Sequence, residues 1–173
     1  MDRKYNLWSF IVCLILLGFS FQVLYASYYR TWQLAPDALT LWLLSVIVFI
    51  IAIMGFKDRS SKQARWRSWL TLLIIVPLSI AFLLGVAVNT VAREHIETTQ
   101  SPDNKTTIDF YTLNGGAATS ISVTGIVNGP LWIKKRIYYE VPMHEVDVEW
   151  LNNHTIKINN HILDLNKGET YSN

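Results

Sequence analysis

The sequence predicts an α+β membrane protein, with three transmembrane helices followed by a small antiparallel β domain of about six strands. Three long apolar runs fill the first half of the 173 residues, and strand-like alternation fills the second half. The link between the second and third runs has one acid and five cations, which are Lys57, Arg59, Lys62, Arg65 and Arg67. The runs indicate the class of protein, and the cations indicate its orientation.

A helix needs about 20 apolar residues to cross the hydrocarbon core of a bilayer. Three segments meet that length, at about residues 7–28, 38–56 and 69–91, and together they define a membrane domain, residues 1–91. None of them contains Asp, Glu, Lys or Arg, each of which would cost about 2.5–3.5 kcal/mol at mid-membrane. Because intramembrane ionisable residues mark ion and substrate paths, we do not expect a transporter formed by this chain alone.

Positive charge marks the cytoplasmic side of membrane helices. With three crossings, the N-terminus and the cationic link share one side, and both carry an excess of Lys and Arg. The opposite link, Tyr29–Asp37, has only Arg30 as a cation. We therefore expect a multi-pass protein of the cell membrane, with a cytoplasmic N-terminus and residues 92–173 outside the cytoplasm. A signal peptide ending near Ala26 is the alternative for the first run, and its cleavage would leave that location unchanged.

Charge differs between the two halves of the chain. Residues 1–91 have eight cations and three acids, hence +5, and residues 92–173 have seven cations and ten acids, hence −3. The basic pI therefore comes from the membrane half, and no nucleic-acid partner is expected. A lone cysteine, Cys13, excludes a disulfide within the chain, so the β domain must depend on its core.

The polar residues 92–105 are predicted to form a stalk or an extension of the third helix, and residues 106–173 the extracytoplasmic β domain. Two strands are predicted at Thr106–Thr112 and Thr119–Val127, on either side of a glycine turn. A third, Leu131–Val141, ends at a proline. Alternation along this third strand predicts that one face carries Leu131, Ile133, Ile137, Tyr139 and Val141.

A β-meander is predicted in residues 145–165. Its first strand alternates apolar residues with acids. A three-residue loop at 152–154 is favoured, because it pairs Trp150 with Ile156 and Glu149 with Lys157 and so keeps the apolar side chains on one face.

The second turn of the meander is predicted at Asn160-His161. A two-residue loop there would set Lys157 opposite Asp164, so that Lys157 would lie between two acids. Charge reversal at Lys157 is therefore expected to lower the melting temperature more than charge reversal at Lys167.

A basic run between aromatic residues is the candidate binding patch, which consists of Lys134, Lys135, Arg136, Trp132 and Tyr138. Cations interleaved with aromatic rings are suited to anionic lipid, a cell-wall polyanion or a protein partner. A charged, exposed strand with no ligand is the simpler interpretation of the same residues.

No catalytic, cofactor or metal site is predicted. Gly115-Gly116 lacks the strand–loop–helix setting of a phosphate loop, and no serine has the setting of a nucleophile elbow. His154 and His161 occupy two turns at opposite ends of the predicted meander, which does not favour a metal site. We therefore do not expect an enzyme.

Several segments of the second half resemble an uncharacterised family of small membrane proteins from Gram-positive bacteria. The likeness covers about residues 98–171. It is carried by Ser101-Pro102-Asp103, the Gly115-Gly116 turn, Gly129-Pro130-Leu131-Trp132, Lys134-Lys135-Arg136-Ile137-Tyr138 and Val146-Asp147-Val148-Glu149-Trp150. The resemblance implies a C-terminal domain of unknown function and supplies no catalytic residues.

The leading functional hypothesis is a membrane-anchored protein that presents a small extracytoplasmic β domain for binding or sensing. The alternative is an accessory or immunity-type subunit that acts on a membrane partner through its transmembrane helices. The expected partners are the lipid bilayer and a membrane or cell-envelope protein.

Overall fold

A computed structural model describes residues 2–58, 61–116 and 120–173, and for Asp2 and Arg3 it describes the backbone alone. The described residues divide into two compact units. The helical unit comprises Pro36–Ala87 with the chain up to Gln22, and the β unit comprises Val23–Ala35 with Val88–Asn173. The predicted topology determinant Arg59 and the predicted strand start at Thr119 lie outside the described residues.

The first half of the chain is helical. Helix α1 spans Asp2–Tyr29, α2 spans Ala38–Gly55 and α3 spans Lys62–Ala87, after which a π-helical turn occupies Val88–Ala92. Within the described ranges, three helices are long and apolar enough to cross a membrane. The predicted three apolar helices are therefore confirmed.

Helices α1 and α3 begin earlier than their apolar runs. Backbone hydrogen bonding continues through polar residues as readily as through apolar ones, so a hydropathy pattern underestimates the length of a helix with a charged end. As a result Lys62, Arg65 and Arg67 lie in the first turns of α3 rather than in a loop. At the other end of the link, Lys57 follows the last residue of α2 by two positions.

A buried amide joins the three helices of the helical unit. The Nδ2 atom of Asn6 on α1 lies 2.6 Å from the Ser68 Oγ atom and 3.0 Å from the Ala64 carbonyl oxygen, both on α3. The Asn6 Oδ1 atom accepts a hydrogen bond of 3.0 Å from Arg67 Nε. Gly55 of α2 is so close that an added Cβ would lie 2.7 Å from the Asn6 backbone nitrogen. The hydrogen bonds of Asn6 and the absence of a Cβ on Gly55 thus hold the three helices in contact.

The described strands form two sheets. In the larger sheet the strand order is β1-β5-β4-β3-β2, with β9 parallel to β5 and every other pair antiparallel. Its strands are β1 (Gln33–Leu34), β2 (Arg93–Gln100), β3 (Thr107–Leu113), β4 (Ser122–Asn128), β5 (Ile133–Glu140) and β9 (Tyr171–Ser172). The smaller sheet has the order β6-β7-β8, formed by Val148–Trp150, Thr155–Ile158 and His161–Asp164. An antiparallel sheet of several strands therefore follows the helices, as predicted.

Within the predicted stalk, residues 92–105, Arg93–Gln100 instead forms β2, which pairs with β3 on both sides of a bulge at Ile96. The strand escaped prediction because it has no apolar alternation: it is an edge strand and most of its residues are exposed. Strand β1 was also missed, since two residues are too few to show a period. The larger sheet therefore includes β1, from the predicted membrane domain, and β2, from the predicted stalk.

One core holds the two sheets together. Phe110 and Ile108 of β3 are fully buried and pack with Ile156 and Ile158 of β7 in the same apolar cluster. Gly125 of β4 leaves the space that the Phe110 ring occupies, because an added Cβ would lie 2.7 Å from its Cε1 atom. The smaller sheet therefore covers one side of the larger one.

The first hairpin of the meander has the predicted register. Trp150 pairs with Ile156, and Glu149 pairs with Lys157. At the loop end of this hairpin, the Leu151 and Asn152 backbone nitrogens donate to the Thr155 carbonyl oxygen. The requirement that apolar side chains share a face was therefore sufficient to predict this loop.

The second hairpin has a different register from the predicted one. Lys157 pairs with Ile162 rather than with Asp164, because the turn lies one residue earlier than predicted, at Asn159-Asn160, where Asn159 has a φ of 52°. The Asn159 side chain accepts a hydrogen bond from the Asp147 backbone nitrogen and donates one to the Tyr138 hydroxyl. A shift of two residues keeps every side chain on its face, so alternation could not distinguish the two registers.

Strand β5 does not keep one face throughout. Gly125 pairs with Tyr138 and the next residue of β4, Ile126, pairs with Arg136, so Ile137 is an extra residue in β5. This β-bulge brings both Ile137 and Tyr138 into the core. The predicted face is therefore wrong beyond the bulge, where Tyr138 replaces Tyr139, and at the start, where Leu131 is exposed.

Candidate functional site

The predicted basic patch is divided between four places. Lys134 and Arg136 lie on the side of the larger sheet away from the core, whereas Lys135 points to the core side, where its Nζ atom donates to the Gly168 carbonyl oxygen at 3.0 Å. Trp132 lies exposed in the turn before β5. Tyr138 is fully buried. Strand alternation separates neighbouring cations, so the run in the sequence does not form one patch.

Tyr138 is a core residue with satisfied hydrogen bonds. Its hydroxyl donates to the Glu140 carboxylate and accepts from Asn159 Nδ2 at 3.0 Å. Burial and the Glu140 carboxylate raise the pKa of this tyrosine. Its ring also lies against Tyr171, with centroids 5.6 Å apart. Tyr138 therefore stabilises the β unit and cannot contact a ligand at the surface.

On the side of the larger sheet away from the core, a set of polar side chains surrounds Asp109 of β3. We call this set the polar face, and it comprises Arg93, His95, Thr98, Asp109, Tyr111, Asn128, Lys134 and Arg136. The Asp109 carboxylate accepts hydrogen bonds of 2.7 Å from the Thr98 hydroxyl and 2.6 Å from Asn128 Nδ2. His95 Nε2 lies 2.9 Å from the same threonine oxygen. Both carboxylate oxygens of Asp109 are thus engaged across three strands.

These partners keep Asp109 ionised. Burial alone would raise the pKa of its carboxyl group, but the hydrogen bonds from Thr98 and Asn128, with the nearby charges of His95 and Lys134, outweigh burial and lower the pKa. Sequence reasoning missed this residue. The signal was present, because Asp109 is the one acid in residues 104–139 and stands at an outward position of a strand.

Next to Asp109, the polar face has a stacked cation. The Arg93 guanidinium carbon lies 3.6 Å from the centroid of the Tyr111 ring, a cation–π geometry. Burial of the guanidinium lowers the pKa of Arg93. Burial of the phenol, together with the charge of Asp109, raises the pKa of Tyr111. The His95 ring meets the edge of Tyr111 at a centroid distance of 5.4 Å. These side chains bond mainly to one another, which suits them to fixing strand register.

An open groove of about 450 Å³ lies within the β unit on the side of β5 that carries Lys135. Three lysines line it, Lys105, Lys135 and Lys167, together with His154. Two of them have a carboxylate nearby: Lys105 Nζ lies 3.4 Å from Asp103, and Lys167 Nζ lies 3.3 Å from Asp164. The remaining lining is contributed by Trp32, Thr106, Val127, Asn128, Gly129, Ile137, Leu165, Asn166, Gly168 and Glu169.

The loop after β8 places Lys167 at this groove. The Asp164 side chain accepts hydrogen bonds from the backbone nitrogens of Asn166 and Lys167, at 3.0 and 3.4 Å. Burial would raise the pKa of Asp164, but the bonds from Lys167 and Asn166 lower it. Gly168 has a φ of 73°, which only glycine adopts without strain. A tight, side-chain-anchored loop therefore supplies one wall of the groove.

The histidines are dispersed, as the sequence suggested for His154 and His161. His161 stacks on Tyr171 with centroids 3.5 Å apart, and His95 belongs to the polar face. Across residues 2–58, 61–116 and 120–173, no three His, Cys, Asp or Glu side chains come together in a group that could hold a metal ion.

Residues 62–173 match the model of DUF5412, a family of unknown function. The chain belongs to this family. The DUF5412 match begins in α3 and includes β2 through β9, so the polar face and the three lysines of the groove all lie within the family region. The expectation of an uncharacterised family is confirmed in that form. Neither the curated proteins nor the solved structures that were compared with the chain gave a match.

Proposed function

We propose that this DUF5412 protein is a membrane-anchored binding protein, whose β unit lies outside the cytoplasm and takes an anionic ligand in its groove. The observation that carries the proposal is the convergence of Lys105, Lys135 and Lys167 on one groove of about 450 Å³. The three residues come from distant parts of the chain. Their meeting is therefore a property of the fold.

The chemistry of the groove favours phosphate or carboxylate groups. The side chains of Lys105 and Lys167 are 82% and 71% exposed, and exposed ion pairs contribute about 1 kcal/mol or less. A ligand anion can therefore replace their present carboxylate partners at little cost. Lys135 is held in place by the Gly168 carbonyl oxygen, which leaves its charge available to the groove.

The proposed location follows from helix number and charge. If each of the three candidate helices crosses the bilayer, Lys57, Lys62 and Arg65 would lie on the side opposite to the β unit, and positive charge marks the cytoplasmic side. Exposed Trp66 and Trp69 near the start of α3, and exposed Tyr28 and Tyr29 at the end of α1, suit the two membrane interfaces.

Cysteine labelling tests the location. In a Cys13→Ser background, Ser120→Cys should react with a membrane-impermeant maleimide in intact cells, and Ser61→Cys should react only after the cells are lysed. Both positions are exposed. The reverse pattern would overturn the proposed orientation.

Binding is tested on the full chain in nanodiscs of zwitterionic lipid, with fluorescein-labelled polyphosphate as the probe. The triple variant Lys105→Gln, Lys135→Gln, Lys167→Gln should weaken binding by about tenfold or more, which is about 1.4 kcal/mol. Lys157→Gln is the matched control, because this lysine lies on β7 and does not line the groove. Equal affinities for the triple variant and the control would reject the groove as the binding site.

The alternative role, as an accessory or immunity-type subunit acting through the helices, makes the opposite prediction in a partner experiment. Proteins crosslinked to the wild-type chain in native membranes should be lost from the groove triple variant if the β unit is responsible. Retention of the same partners by this variant, together with their loss from Gly55→Leu, would favour the helices.

A further inference from the structure

The turn between β4 and β5, Gly129–Trp132, presents apolar side chains to the outside of the β unit. Leu131 is 92% exposed and Trp132 is 61% exposed. The turn is closed by hydrogen bonds from the Gly129 nitrogen to the Ile133 carbonyl oxygen, at 2.8 Å, and from the Ile133 nitrogen to the Pro130 carbonyl oxygen, at 3.2 Å. The two side chains are therefore held outward by an ordered backbone. We call this segment the Leu131 turn.

Leu131 is poorly suited to this position if the turn faces water. Its φ is 57°, in the left-handed region that glycine and asparagine adopt with little strain and that disfavours a branched apolar residue. No other part of the β unit that the structure describes covers the apolar side chain of Leu131. An asparagine would satisfy both the backbone and the solvent. The leucine is therefore explained by an apolar environment around the tip of the turn.

Hydrogen bonds tie the Leu131 turn to the segment that follows α1. Gln33 and Leu34 of β1 pair with Lys134 and Ile133, and the Ala35 nitrogen donates to the Trp132 carbonyl oxygen at 2.8 Å. An added Cβ on Gly129 would lie 3.2 Å from the Trp32 ring, so the ring packs directly on the turn. These contacts all lie within the β unit.

The end of α1 limits how far the Leu131 turn can be from a bilayer. The candidate span ends at Tyr29, four residues before Gln33. At about 3.3 Å per residue, Gln33 cannot lie more than about 13 Å from the end of that helix. Tyr25, Tyr28 and Tyr29, in the last turns of α1, are exposed like the aromatic belts at membrane interfaces.

Charge next to the turn favours anionic headgroups. Lys134 and Arg136 are the second and fourth residues of β5, which follows the turn, and Arg136 Nη2 donates to the Ser27 carbonyl oxygen of α1 at 3.3 Å. Arg30 follows α1 directly. Cations beside exposed Leu and Trp match a lipid surface, where the apolar tips enter the acyl boundary and the cations meet phosphate groups.

We propose that the Leu131 turn is a lipid-contacting element, which inserts Leu131 and Trp132 into the leaflet that the end of α1 reaches. The occupant is the phospholipid interface. The turn would fix the β unit against the bilayer beside the helix to which β1 connects it. The inference assumes that α1 spans the membrane, and it requires neither ligand binding in the groove nor a particular orientation.

The experiment places an NBD dye at Leu131→Cys in the full-length Cys13→Ser chain, reconstituted into nanodiscs with and without nitroxide-labelled phospholipid. The NBD emission should lie at a shorter wavelength than NBD shows in water, and the nitroxide-labelled lipid should quench it. Leu151→Cys is the control, because Leu151 is also an exposed leucine in a turn of the β unit but lies between β6 and β7. The proposal would be overturned if NBD at both positions emitted at the wavelength it shows in water and was quenched equally by the nitroxide lipid.

The variant Leu131→Asn separates a lipid role from a folding role. It relieves the left-handed backbone strain, so the melting temperature in detergent should stay equal to that of the wild type or rise. In nanodiscs of anionic lipid, the variant should show faster proteolysis within the β unit than the wild type. A lower melting temperature in detergent, with unchanged proteolysis in nanodiscs, would instead make Leu131 a fold residue.

Discussion

In the helical unit the residues buried at the tightest helix contact are small or polar, as at Asn6, Gly55 and Ser68, whereas the β unit buries Phe110, Tyr138 and isoleucines. Large apolar side chains of the helices are mostly exposed. In lipid, burial of a leucine gains little because the tails are as apolar as the side chain, so packing and hydrogen bonds decide which faces meet. In water, apolar burial is the main driving force. The comparison teaches that close contact depends on small and polar residues in the helical unit and on large apolar residues in the β unit.

The largest effect should come from removing a core side chain of the β unit. Phe110→Ala should lower its free energy of unfolding by about 3–5 kcal/mol, because it deletes a fully buried ring from the core that the two sheets share. Pulse proteolysis of the full chain in nanodiscs measures this. Ile162→Ala, at an exposed position of β8, should cost about 0.5 kcal/mol or less. Similar values for the two variants would contradict the assignment of the core.

A smaller effect is expected at the helix contact, with a sign that depends on position. Gly55→Ala should destabilise the helical unit by about 1–3 kcal/mol, because the new Cβ would lie 2.7 Å from the Asn6 nitrogen. Gly18→Ala is the control: nothing lies within 4 Å of its added Cβ, so helix propensity should make it neutral or stabilising. Titration with SDS measures both. Destabilisation of equal size would show that Gly55 is not a close contact.

Asp109 tests the polar face through pH. Its pKa is lowered in the folded state, so the carboxylate stabilises the β unit above the unfolded pKa of about 3.9, and this contribution is lost as pH falls through the folded pKa. Asp109→Asn should therefore cost about 1 kcal/mol at pH 7, after allowance for solvent screening. The difference from the wild type should shrink below about pH 4.

The control for Asp109→Asn is Asp147→Asn, which removes the same charge from an exposed residue of the β unit. It should cost less at pH 7, since exposed charges contribute little. A wild-type advantage over Asp109→Asn that stays constant from pH 7 to pH 3 would rule out an electrostatic origin.

The smallest effect concerns the second hairpin. Lys167 Nζ lies 3.3 Å from Asp164, and Lys157 pairs with Ile162, so Lys167→Glu should now lower the melting temperature more than Lys157→Glu does. The difference should be a few tenths of a kcal/mol, because both lysines are on the surface. This order is the reverse of the one expected from the sequence. A larger loss for Lys157→Glu would support the register with the turn at Asn160-His161.

Long apolar runs and regular alternation were sufficient to predict structure from the sequence. The apolar runs predicted three helices, and the pairing of Trp150 with Ile156 followed from the need to keep one face apolar. Weak or short patterns failed, as at β1, which has two residues, and at β2, which is an exposed edge. The residues of the candidate patch do not come together, because adjacent cations on a strand point to opposite sides.

The groove could not be predicted from the sequence. Lys105, Lys135 and Lys167 belong to three separate segments, and they meet only because the two sheets share one core and the loop after β8 returns to β5. Asp109 is visible in the sequence as an isolated acid, but its role depends on Thr98, which lies in β2, where the sequence predicts a stalk. A site assembled from several strands becomes visible only with the pairing of those strands.

The sequence by itself determined the three apolar helices and which side chains share a face wherever alternation is unbroken. Tertiary structure decided the rest: the bulge at Ile137 that buries Tyr138, the turn at Asn159 rather than at Asn160-His161, and the joining of β1 to β5. The reason is physical. Hydropathy and alternation record which environment a side chain needs, and registers that differ by two residues satisfy that need equally. Only contacts between distant segments can choose between them.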